Sequence, residues 1–135
     1  MSHITKVNGF IIRDLDVLER ALDVLGFELL RDVNRGYRSY YGESEVGNCR
    51  HVARFKGTAD GYEVGVIQTG DGYRIEYDRW GVGGAITKAL GGKQLDRLRD
   101  NYGALLAEQM YQADGYQTAI TTDADGSLTL SAWQY

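Results

Sequence analysis

The spacing of apolar residues divides the chain into two kinds of segment. Leu15, Leu18, Leu22 and Leu25 recur at intervals of three and four, which places them on one face of a helix. Asp16, with Glu19 three residues on, reads as a capping box that satisfies N–H groups at the helix start. Gly26 suits the left-handed position after the last turn, so a first helix is expected over residues 16–25. A longer one is expected from Gln94 to Ala113, with Leu95, Leu98, Tyr102, Leu105 or Leu106, and Met110 on its buried side, ended by Gly115.

Elsewhere the β-branched and aromatic residues favour strands over residues 4–12, Phe27–Val33, His51–Lys56, Tyr62–Gln68, Tyr73–Trp80, Tyr116–Thr122 and Ser127–Trp133. Alternation is clearest in the middle of the chain. Tyr62, Val64 and Val66 share one face of their strand, and Tyr73, Ile75 and Tyr77 oppose Arg74, Glu76 and Asp78 in the next. Asp60-Gly61, Gly70-Asp71-Gly72 and Asp123-Ala124-Asp125-Gly126 carry turn chemistry. Residues 34–50, broken by Asn34, Gly36, Gly42, Gly47 and Asn48, read as a long loop, and the stretch from Gly81 to Gly92 reads as a flexible connector. The resulting order, β-α-β-β-β-β-α-β-β, predicts an α+β two-layer sandwich: a mainly antiparallel sheet with two helices on one face.

Composition narrows the function more than the fold. At 135 residues the chain is expected to be a single domain spanning 1–135, and 43% hydrophobic content is enough for a packed core. Eighteen glycines and no proline mean that turns are made by Gly with Asp or Asn. One cysteine, Cys49, excludes an internal disulfide, and with only His3 and His51 beside it the chain lacks the usual zinc ligands, so no metal or cofactor is expected. No stretch approaches the roughly 18 apolar residues of a membrane span. The opening Met1-Ser2-His3-Ile4-Thr5-Lys6 lacks a leader's apolar run, so a cytoplasmic protein without membrane contact is expected. The net charge of −4 argues against nucleic acid as a partner.

Several short stretches, in order, resemble one known family. They are Met1-Ser2-His3; Asp14-Leu15-Asp16-Val17-Leu18-Glu19-Arg20-Ala21-Leu22; Leu25-Gly26-Phe27-Glu28; Arg35-Gly36-Tyr37-Arg38; Gly61-Tyr62-Glu63-Val64-Gly65; Gly72-Tyr73; and Trp80-Gly81. Asn101-Tyr102, Gly115-Tyr116 and Asp125-Gly126-Ser127-Leu128 continue the order over nearly the whole chain. Together they resemble the hypothetical chloroplast reading frame thirty-five family, small proteins of unknown function in plastids, cyanobacteria, other bacteria and phages. The resemblance implies a plastid stroma or infected-cell cytoplasm as setting and brings no catalytic residues with it. The loop from Tyr40 to Cys49 and the insert from Gly81 to Gly92 look longer than in plastid members.

Candidate chemistry concentrates in residues 31–56, where Arg31, Arg35, Arg38, Arg50, Arg54 and Lys56 face Asp32, Glu43 and Glu45, a balance of +3 within an acidic chain. Guanidinium groups among tyrosines are suited to clamping phosphates and stacking on planar rings. The candidate binding residues are therefore Arg35, Tyr37, Arg38, Tyr40, Tyr41, Arg50 and Arg54. The competing reading is that these arginines pair with acidic neighbours. Other constellations are weaker. Gly81-Val82-Gly83-Gly84 lacks the spacing of a phosphate loop, since the position that requires the first glycine before Gly92-Lys93 is Thr87. Cys49 and His51 are two apart, a conceivable dyad without an orienting third group. Asp123 and Asp125 are turn residues.

The expectation drawn from these features is a non-catalytic accessory binding module that recognises a protein partner through a sheet edge, the basic tyrosine-rich loop, or both. The alternative is a binder that holds or sequesters an anionic, nucleotide-like ligand, in a phage setting. The open edges of the sheet also point to a homodimer.

Overall fold

A computed structural model describes residues 4–6, 10–39, 42–43, 49–58, 61–79, 83–124 and 128–134. The fold is α+β and every strand pairing is antiparallel. The elements run β1 (Ile4–Lys6), α1 (Leu15–Val24), β2 (Phe27–Leu30), β3 (Arg38–Ser39), β4 (Gly42–Glu43), β5 (His51–Phe55), β6 (Val64–Thr69), β7 (Gly72–Asp78), α2 (Gly83–Leu90), α3 (Asp96–Ala113), β8 (Gln117–Thr122) and β9 (Leu128–Trp133). A five-stranded sheet has the order β1-β7-β6-β5-β2. The β8–β9 hairpin forms a sheet of its own that packs on α3 and does not extend the main sheet.

The main core lies on one face of that sheet. Phe27, Ala53, Val64, Val66, Ile75 and Tyr77 point to it, and α1 answers with Val17, Leu18, Ala21 and Leu22. Ile86 and Leu90 of α2, and Leu98, Tyr102 and Leu105 of α3, complete it. Tyr102 also ties the layers by its hydroxyl, which accepts from the N–H groups of Arg13 and Asp14 at 3.1 Å each.

Four expectations are corrected. The cap of α1 is Asp14, whose Oδ1 accepts from Val17 N–H at 3.1 Å, whereas Asp16 and Glu19 hold Arg31. The connector beginning at Gly81 contains a helix, α2, because Ile86 and Leu90 at i, i+4 bury against the core. Its first residue has to be glycine: a Cβ at Gly83 would sit 1.7 Å from the Asp78 carbonyl oxygen. Met110 is 63% exposed, since the buried face of α3 ends with Leu105. Finally, residues 34–50 are not simply a loop. Arg35 and Cys49 bridge to each other, Arg38–Ser39 pair with Gly42–Glu43, and Tyr37 is fully buried.

Two substitutions test this packing. Leu98→Ala, at a fully buried position, should cost about 2–5 kcal/mol by leaving a cavity. Gly65→Ala, whose new methyl would stand 2.5 Å from Tyr37 Cδ1 and 2.9 Å from Cys49 Sγ, should cost about 1–3 kcal/mol by overpacking. Urea midpoints equal to wild type would refute either placement.

Candidate functional site

Strand alternation puts Glu28, Leu30, Val52, Arg54, Gly65, Ile67, Arg74, Glu76 and Asp78 on the sheet face away from the helices. Such a charged face would ordinarily be solvated, yet Glu76 and Asp78 are fully buried and Glu63, just before β6, is 1% exposed. The cover is the segment from Val33 to Ser39. It crosses the row Leu30, Val52, Gly65, Glu76 and lays the Tyr37 ring on Gly65, the one position in that row without a side chain. Tyr37, Cys49 and Val52 form a second small core there, flanked by Leu30, Val33 and Ile67.

This strap is fastened by polar bonds at two points. The Tyr37 hydroxyl donates to Glu76 Oε1 at 2.8 Å, and Arg74 Nη2 lies 3.5 Å from Glu76 Oε2. Arg35 grips Glu63 with both terminal nitrogens, at 2.7 and 2.8 Å, and the Arg38 backbone N–H adds a third bond at 2.8 Å. Burial pushes the Glu63 carboxyl up; the Arg35 and Arg38 bonds and charges outweigh it, leaving this group below the usual carboxylate range.

The seven candidate residues therefore do different things. Arg35 and Tyr37 point inward and hold the strap. Arg50 bonds Asp32 at 3.0 Å and Gln68 at 3.3 Å, and Arg54 bonds Glu28 at 2.7 Å across the β2–β5 pair. Arg50 and Arg54 stand four residues apart along extended chain, about 13 Å, and share no concave site among the described residues. Arg38 is half-buried, and its guanidinium makes no ion pair among the described residues. Tyr40 and Tyr41 lie outside them, as do Gly81, Val82 and Asp125. Arginine pairing with acidic neighbours is thus what the geometry displays at Arg35, Arg50 and Arg54.

Cys49 and His51 do not form a dyad. The Cys49 thiol packs under the strap, where burial pushes it up. His51 follows the bend at Arg50 and takes the helix-side face beside Tyr73, with ring centroids 5.5 Å apart. Its Nδ1 accepts from the Asp32 N–H at 2.9 Å, which fixes the neutral tautomer, and its buried Nε2 has no partner. Burial pulls the imidazole below its ordinary value. No group of three metal-ligating side chains occurs among the described residues, and no helix among them is long and apolar enough to cross a membrane.

A feature that sequence patterning did not reveal lies at the β2 edge. The Lys56 N–H bonds the Gly26 carbonyl at 3.0 Å. Antiparallel alternation then makes Glu28 and Leu30 the residues bonded to β5, and turns the N–H and C=O groups of Phe27 and Leu29 outward. Beside this open edge runs a groove of about 400 Å³ between β2, α1 and α3. Its apolar floor is Val24, Phe27, Leu29 and Leu105; Glu19, Arg20, Asp23 and Glu28 form the rim. Val24 is 47% exposed there. The short Phe-Glu-Leu-Leu strand was legible, but nothing local marks a strand as outermost.

No family model, curated protein or solved structure matches the chain.

The buried titrating groups predict acid lability in two windows. Because the His51 value is depressed, its neutral contact is fully present above about pH 6.5 and is lost as pH falls below that unfolded value. The Glu63 contribution is present above the unfolded glutamate value of about 4.3 and is lost as pH falls through its lower folded one. His51→Asn, which keeps an acceptor near the Asp32 N–H, should abolish the slope in urea midpoint between about pH 7 and 5 and leave the lower branch. An unchanged slope would exclude His51 as its source.

Proposed function

We propose that this protein is a non-catalytic accessory module that recognises a protein partner through the open edge of its main sheet. The observation that carries this reading is the coincidence at β2: Phe27 and Leu29 turn their backbone groups outward and their side chains into a groove. Strand addition needs both features, since main-chain bonds give affinity and alternate side-chain pockets give specificity. The arginines support the same choice. Arg35, Arg50 and Arg54 already have carboxylate partners within the chain, which leaves an anionic ligand little uncommitted charge. The resemblance to the chloroplast reading frame family belongs to this proposal as context, with a cytoplasmic or stromal setting.

Three comparisons test it. Immobilised wild-type protein should recover a partner that Val24→Lys loses, with an unchanged melting temperature, because that side chain is exposed at the groove. The double change Arg38→Ala and Arg54→Ala should retain the partner. Saturating nucleotides should leave the melting temperature unmoved, whereas a ligand at a hundred times its Kd would add about 2.7 kcal/mol. Loss of capture in the arginine variant alone, or a clear nucleotide shift, would replace this reading with the anionic-ligand one.

A further inference from the structure

The groove also specifies what kind of chain would add to β2, an inference that rests on the edge-recognition reading. We infer that the occupant is an extended peptide segment in which apolar and basic residues alternate, seated as a sixth strand against Phe27–Leu30.

Backbone geometry supplies the first half of the argument. β2 is four residues long, about 13 Å, and its outward groups are those of residues 27 and 29. A strand docked there would place every second side chain on the helix side, over the floor made by Val24, Phe27, Leu29 and Leu105. Apolar residues suit those positions. The intervening side chains would fall on the opposite face, beside Glu28.

Charge supplies the second half. The groove presents three carboxylates, Glu19, Asp23 and Glu28, against the single guanidinium of Arg20, which is bonded to Glu108 at 3.2 Å. The chain's own cations now on those carboxylates are Arg31, Lys56 and Arg54. The Arg31 and Lys56 pairs are solvent-exposed, and such pairs exchange at little cost. Incoming ammonium groups can therefore share or replace them. A second copy of the chain would bring a net charge of −4 to an acidic rim, so charge favours a basic partner over self-association at this edge.

The test uses the full chain, labelled with nitrogen-15, and three capped heptapeptides in which valine alternates with lysine, threonine or glutamate. The lysine peptide should shift the Phe27 and Leu29 amide signals and slow their hydrogen exchange. Its affinity should fall about tenfold between low and high salt as the rim charges are screened. Asp23→Asn combined with Glu28→Gln should remove most of that salt dependence while leaving the same amides perturbed. Val24→Lys should weaken binding at the groove, and Leu29→Pro, which removes an outward N–H, should abolish it; Val24→Lys keeps the test decisive if the proline variant fails to fold. Equal binding of the glutamate and lysine peptides would overturn the basic-peptide assignment and leave edge recognition standing. Freely exchanging Phe27 and Leu29 amides with all three peptides would overturn both. A doubled mass in light scattering with those amides protected before any peptide is added would make a second copy the occupant and overturn the proposal.

Discussion

The hydrogen bond from the buried Tyr37 hydroxyl to Glu76 governs much of this structure. β7 is a central strand, second from one end of the five-stranded sheet, and it carries Arg74, Glu76 and Asp78 on the face away from the helices. Burying a carboxylate there without partners would cost several kcal/mol. The strap makes burial tolerable by supplying a phenol to Glu76, a bidentate guanidinium to Glu63 and an aromatic ring to the glycine between them. Each contact depends on the others. Gly65 leaves the space that Tyr37 fills, and Tyr37 can reach Glu76 only because that space lies in the same cross-strand row.

That arrangement absorbs most of the basic segment into the architecture. Arg35 is fastened to Glu63, while Arg50 and Arg54 tie the start and the body of β5 to Asp32 and Glu28. The exposed ones among these pairs add little stability, but they neutralise the cations that would otherwise draw an anionic ligand. A segment with a balance of +3 thus becomes, in three dimensions, a set of local pairs spread over one sheet face.

Much of this was legible in the sequence, and the missing parts share a cause. The leucine spacing located α1, and β-branched alternation located β5 to β7 and the final hairpin, because those patterns are local. The faces of β7 were also separable from alternation alone. What alternation could not show is that its charged face is covered, since the cover comes from residues some forty positions earlier. A hydrophilic, tyrosine-rich stretch looks the same in sequence whether it is solvated or pinned. The helix α2 was hidden by glycines, two of which follow it while Gly83 meets a backbone oxygen at its start. The cap of α1 was misplaced by two residues because Asp14 and Asp16 offer the same side chain, and the carboxylates of the expected box are drawn instead to Arg31. The candidate site was the least legible of all, because being an edge strand is a property of the whole sheet.

Strap and edge are nevertheless one continuous piece of chain. β2 ends at Leu30, and Asp32, in a left-handed conformation, turns the backbone off the sheet while its N–H rests on His51. The chain then enters the strap at Val33, whose N–H bonds the Arg50 carbonyl. Because residues 33–39 leave the plane of the sheet to cover its far face, they cannot continue alongside β2 or fold back onto its outer side. Covering the buried carboxylates of β6 and β7 therefore leaves the outward groups of Phe27 and Leu29 bare. The strap uses the arginines that would make a binding surface of the loop, and its departure from β2 frees the edge on which strand addition depends.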